Sequence, residues 1–222
     1  MRIHIVIIAT FFVFISQVNA AQYHLMSTTE LHDKEVQIKA MESLTTLSEL
    51  VVMQKNYEEM GFKSPADLKR MTLGTPLQVF IVRLDHLKEY KSGEDLNNLL
   101  SGGNHVMYPV LVDEQVRSSV TLAEKENNWS TVSFGNPTLI KLLTNIRTDS
   151  AKTSRLPHSS YFVVQVPALN FYFLGYRINN KLMLVSLIDD SQFGFKKGIS
   201  MPADDVFSAI LPAAKQHDGL PR

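Results

Sequence analysis

Residues 170–188 run Asn170 to Ile178 (NFYFLGYRI), then Asn179-Asn180, then Lys181 to Ile188 (KLMLVSLI), and read as a β-hairpin. Asparagine tolerates positive φ, so two asparagines between apolar runs suit a tight two-residue turn. Phe171 and Phe173 alternate with Tyr172, Leu174 and Tyr176; Met183, Val185 and Leu187 alternate with Leu182, Leu184 and Ile188. Both faces of both strands are therefore apolar. Strands of that kind sit at the centre of a sheet that helices cover. The hairpin points to an α+β fold.

Working outward, Tyr161 to Val166 supplies a strand before the hairpin. Pro202 to Lys215, with Val206, Phe207, Ile210 and Leu211, supplies a helix after it, which Pro212 is expected to end or kink. The same order occurs earlier in the chain. Strands Val106 to Val112, Val116 to Ala123 and Trp129 to Phe134 precede a helix from Thr138 to Ile146. The expectation is two successive antiparallel three-stranded meander-plus-helix units with a long N-terminal helix. That helix is read from a cap at Ser27-Thr28-Thr29-Glu30 to about Met60, with Ala40, Leu44, Leu47 and Val51 on one face and Gly61 as its stop. Leu77 to Leu84 reads as a further strand, Asp85 to Tyr90 as a short helix, and Ser101-Gly102-Gly103-Asn104 as a flexible loop. The divisions are a signal peptide over 1–20, a helical region over 21–72, a first α+β unit over 73–147, a linker over 148–160 and a second unit over 161–222.

The N-terminus reads as an address. Met1-Arg2-Ile3-His4 is basic, Ile5 to Ile15 carries no charge, and Val18 and Ala20 occupy the small-residue positions of a cleavage site. Cleavage is expected between Ala20 and Ala21. The apolar run falls short of the roughly 20 residues that cross a bilayer, so no stable membrane span is expected after cleavage. The localisation expected is exported, in a bacterial periplasm or secreted.

Composition narrows the chemistry. The 222 residues carry 22 basic and 22 acidic side chains, 45% hydrophobic residues and no cysteine. Disulfide scaffolds, thiol catalysis and thiolate metal sites are thereby excluded. Nucleic acid is not an expected partner, because no segment concentrates basic charge. The sequence holds no His-Glu-x-x-His, no Gly-x-Ser-x-Gly, no Walker loop and no Ser-x-x-Lys, and its seven histidines are scattered. No cofactor and no metal are expected, and no catalytic residue is assigned.

Two segments carry candidate interaction residues. The stretch Asp189-Asp190-Ser191-Gln192-Phe193-Gly194-Phe195-Lys196-Lys197-Gly198 leaves a central strand. It reads as a ligand or partner loop with Asp189, Asp190, Lys196 and Lys197 as polar contacts and Phe193 and Phe195 as anchors. The alternative folds both phenylalanines onto the core and leaves the charges solvated. A second patch joins Tyr108 to Arg117, which is placed on a wet strand face to meet a ligand carboxylate.

The run from Leu73-Gly74-Thr75-Pro76 through Tyr108-Pro109-Val110-Leu111-Val112 to Trp129-Ser130-Thr131-Val132-Ser133-Phe134-Gly135 resembles a group of uncharacterised exported bacterial proteins of unknown function. That resemblance implies export and no activity. In layout alone the chain is more distantly similar to the soluble chaperone of the chloroplast import apparatus. The function expected is a non-catalytic binding or interaction protein of unknown specificity, with a chaperone-like role as one version of it. Its partner would be an unknown protein or small ligand in the extracytoplasmic space. The alternatives are an extracytoplasmic hydrolase or cell-envelope enzyme, and a secreted protease inhibitor or pro-domain-like module.

Overall fold

Every strand among the described residues joins one sheet. The structure is a computed structural model that describes residues 34–126 and 128–219. The signal peptide expected over 1–20, the cleavage expected at Ala20–Ala21 and the helix cap expected at Ser27–Glu30 lie outside the described residues. Helix α1 covers Lys34–Gln54, and strands β1 (Met71–Leu73) and β2 (Leu77–Val82) lead to the short helix α2 (Leu84–Glu89). Strands β3 (Leu100–Val112), β4 (Gln115–Lys125) and β5 (Asn128–Phe134) precede helix α3 (Pro137–Ser154). Strands β6 (Phe162–Val166), β7 (Phe171–Ile178), β8 (Lys181–Ser186) and β9 (Ser200–Pro202) precede helix α4 (Ala203–Gln216). The protein is mixed α+β on a nine-stranded, mostly antiparallel sheet of order β5-β4-β3-β2-β6-β7-β8-β9, with β1 paired to β3.

The centre of that order is a parallel pairing of β2 with β6, Gln78 opposite Phe162 and Phe80 opposite Val164. Directly paired residues project from the same face of a sheet, which sorts the core into layers. On one face α1 covers Val106, Tyr108 and Val110 of β3 and Val120 and Leu122 of β4. Farther along the same face, α2 and α4 cover Phe80, Phe162, Val164, Phe173 and Leu184. The opposite face receives α3, whose Ile140, Leu143 and Ile146 pack with Leu77, Val79, Val163, Leu174 and Tyr176. The central strands are apolar on both sides because both sides are covered.

Local chemistry explains most boundaries. Asn179 and Asn180 adopt φ of 50° and 60°, as a tight hairpin turn requires. The Asn136 side chain accepts a hydrogen bond from the Leu139 N–H at 3.3 Å, and Pro137 opens α3. Four expectations need correction. Helix α1 stops at Gln54 and not near Met60, because Lys55 turns left-handed at φ 56°. Residues 101–104 are strand and not loop: Gly103 and Asn104 form a bulge against β2, and the Gln78 Nε2 donates to the Gly103 carbonyl at 2.7 Å. Helix α3 runs through Ser154 into the stretch read as a linker. Helix α4 continues past Pro212 to Gln216.

That continuation of α3 is held by a buried arginine. Arg147, 2% exposed, donates from Nη1 to the carbonyls of Thr75 at 3.1 Å and Pro76 at 3.2 Å. Burial lowers its pKa to about 10. Its place in a polar sequence run makes it look solvated, whereas its stem packs with the apolar underside of the helix.

Two carboxylates tie separate elements together. The Asp67 carboxylate accepts from the Lys63 N–H at 2.8 Å and from Arg70, which also pairs with Asp113 in the β3–β4 turn. The Asp204 carboxylate, in the first turn of α4, accepts from the Tyr90 hydroxyl, from Ser92 Oγ at 2.7 Å and from the Gly93 N–H at 2.9 Å. The Lys63 N–H leads in holding Asp67 below the usual carboxylate range, and the Tyr90 hydroxyl leads for Asp204. A depressed carboxyl pKa contributes stability that is present above the unfolded value and lost as pH falls through the folded one. Thermal unfolding followed by circular dichroism should therefore show the midpoint falling below about pH 4. Asp204→Asn should flatten that fall; an unchanged slope would show that Asp204 is not among the groups responsible.

Candidate functional site

Helix α3 crosses the sheet and leaves the β7–β9 end of that face partly open. A cleft of about 680 Å³ results, within the range that small-molecule sites occupy. One wall is the last two turns of α3, with Asp149, Ser150 and Thr153. The floor is Tyr176 and Ile178 of β7, and the far wall is Asp189, Lys197, Gly198, Ile199 and Ser200 from the β8–β9 connection and edge. Ile178 at 41% and Ile199 at 53% exposure present uncovered aliphatic surface beside charges of both signs.

Most hydroxyls of this wall are already engaged. Tyr176 and Ser200 share a hydrogen bond of 2.9 Å, and Ser154 and Tyr161 one of 2.6 Å. Thr153 donates to the Asp149 carbonyl within the helix at 3.2 Å. The groups that remain to meet a ligand are the Ser150 hydroxyl, the Lys197 ammonium, the aliphatic side chains and two carboxylates, of which Asp149 pairs at 3.2 Å with the exposed Lys152. No histidine lines the cleft among the described residues.

No protein-family model, curated protein or solved structure matches this chain. The functional reading rests on geometry and sequence alone.

The loop singled out in the sequence divides into two parts. Its aromatic rings fold inward and are not offered to a partner: Phe195 is 3% exposed, and Phe193 packs half-buried on the same cluster. The rings of Phe171, Phe173, Phe193 and Phe195 meet at centroid distances of 5.3 to 5.8 Å. Asp190 and Phe195 exchange backbone hydrogen bonds of 2.9 and 2.8 Å, so the loop closes on itself. The Asp190 side chain accepts from the Gln192 N–H at 2.9 Å and fixes that turn, and Lys196 is exposed. The Asp189 side chain accepts from the Lys197 N–H at 3.0 Å, and these two residues alone of the six reach the cleft.

The second patch does not assemble. Tyr108 projects into the core beneath α1 at 2% exposure, and burial pushes its hydroxyl pKa up to about 12. Arg117 is half-buried and donates to the Gln115 side chain at 2.7 Å. A bulge in the β3–β4 pairing between Val110 and Leu111 shifts the alternation on which the wet-face assignment of Arg117 depended. Asp149, Ser150, Thr153 and Ile199 were missed. The first three lie in the stretch read as a linker, and their i, i+1, i+4 spacing marks one helix side only once the helix is known to continue.

No group of His, Asp and Glu side chains among the described residues is placed to hold a metal ion. No helix among them is long and apolar enough to cross a membrane.

Proposed function

We propose that this is an exported, non-catalytic binding protein whose ligand occupies the cleft between α3 and the β7–β9 end of the sheet. The observation that carries the reading is the lining: exposed Ile178 and Ile199 beside Asp149, Asp189 and Lys197, with the Tyr176 and Ser200 hydroxyls committed to one another. Such a surface recognises a molecule with an aliphatic body and charged ends. It favours holding over turnover, because among the described residues no histidine lines the cleft to serve the Ser150 hydroxyl as a base. Export rests on residues 1–20.

We further read the fold as two like units, β2–β5 with α3 and β6–β9 with α4, joined edge to edge. In that reading the cleft belongs to the joint, since the helix of the first unit roofs the strands of the second. The chaperone-like version of the proposal takes this shared surface as the place where a client segment is held.

Native mass spectrometry of the protein from an extracytoplasmic fraction tests both parts. A chain beginning at Ala21 with a bound small species is expected, and Ser150→Trp, which fills the cleft, should remove that species while leaving the fold intact. Retention of the species by Ser150→Trp would move the ligand elsewhere. An unprocessed chain in the membrane fraction would overturn export.

A further inference from the structure

Helix α1 is apolar on two opposite sides. Val36, Ala40, Ser43, Leu47 and Val51 face the sheet at i, i+4, i+7, i+11 and i+15. Ile38, Met41, Thr45, Ser48 and Val52 form a second row at i, i+3, i+7, i+10 and i+14, pointing away from the core. Ile38, Met41, Val52 and the adjoining Met53 are between 48% and 71% exposed. The row opens onto an apolar groove of about 490 Å³ that Met41 and Leu44 share with Met71, Leu73 and Pro76. A surface helix ordinarily turns charged residues outward; from Ile38 to Val52 this row carries none, with aliphatic side chains at its two ends and the hydroxyls of Thr45 and Ser48 between them, and such a face marks an interaction surface.

Charge selects the occupant. Glu35, Glu42 and Glu49 repeat at i, i+7 and i+14 and run along one flank of the row. Lys39 bonds Glu42 at 3.1 Å from the side away from the row. The other flank, Gln37 and Leu44, faces the groove. A second copy fits poorly: antiparallel α1 helices would set the two glutamate rows side by side, and parallel ones would need the flank that already faces β1. We propose that α1 docks a different protein through an amphipathic helix whose apolar seam is bordered by lysines or arginines. This face is separate from the cleft and does not depend on it.

The test uses the full chain and three synthetic peptides of equal length. One carries a leucine seam at heptad spacing flanked by lysines, the second has glutamates in place of the lysines, and the third scrambles the first. Fluorescence anisotropy should show the lysine-flanked peptide binding about tenfold or more tightly than either of the others. Met41→Glu and Ile38→Glu, both on exposed positions, should each abolish the difference. Equal binding by the scrambled peptide, or binding indifferent to both substitutions, overturns the proposal. Sedimentation of a dimer that Met41→Glu dissociates would assign the face to a second copy instead. Because the chain has no cysteine, Met41→Cys can carry a single environment-sensitive dye. A dye already shielded in the monomer without peptide would assign the face to the chain's own residues, which also overturns it.

Discussion

Gly61→Ala is expected to be the most destabilising small substitution in the molecule, costing about 2–5 kcal/mol from backbone strain and steric overlap together. Gly61 follows the turn after α1 at φ 91°, where an L side chain is strained. A Cβ built there falls 2.0 Å from the Arg117 carbonyl oxygen of β4 and 2.8 Å from Pro137 Cβ at the start of α3. Neither neighbour is the free end of a flexible side chain, so α1, β4 and α3 would have to separate. Gly93→Ala is the comparison, with a similar φ of 87° and nothing within 4 Å of its Cβ. It should cost about 1 kcal/mol, the backbone term alone. Urea unfolding of the two variants measures the difference. If they unfold at the same midpoint, the close approach at Gly61 has no energetic weight.

Phe195→Ala should cost about 3–4 kcal/mol, in line with the loss of a fully buried aromatic side chain. Phe195 lies within 5.8 Å, ring centre to ring centre, of Phe171, Phe173 and Phe193. Phe193, half-buried at the rim of the cluster, should cost less than half as much when truncated. The larger effect should also reach the cleft. Phe195 anchors the turn that ends at Lys197, so its removal loosens the hydrogen bond from Lys197 to Asp189 and weakens ligand retention. Equal stability losses for the two truncations would show that the loop is not hung from Phe195.

The sequence revealed structure wherever the controlling chemistry was local. The hairpin at Asn179-Asn180 was legible because positive φ selects asparagine and because alternation on both strands exposed a two-sided core. Other strands, such as β2 and β3, were legible from runs of branched and aromatic residues, and β4 from its alternation. What the sequence concealed was determined over distance. Nothing near Leu77–Val82 announces that β2 will lie beside β6, since a parallel pair has no connecting turn to leave a signature. Arg147 sits in a polar run and is buried because carbonyls of Thr75 and Pro76 meet it from far away in the chain. The cleft was half-visible: Asp189 and Lys197 were chosen from composition, but their companions on α3 depended on a helix that the same composition disguised. The phenylalanines beside them were read as candidate anchors for a partner and prove to be anchors for the loop itself.

The parallel pairing of β2 with β6 also sets an order of assembly. These strands stand roughly 80 residues apart, so their closure is a non-local and therefore slow event. A ribosome that has completed α3 has made a helix only part of whose seat exists: Leu77 and Val79 are in the chain, but Val163 and Leu174 have not yet been synthesised. Until β6 arrives, β2 has one bare edge and α3 lacks the part of its seat that β6 and β7 supply. Severing the chain between Arg155 and His158 would freeze that moment in two polypeptides. Each would carry one half of a strand pair and one half of a helix seat, and the surfaces most able to bury both are those of the other fragment.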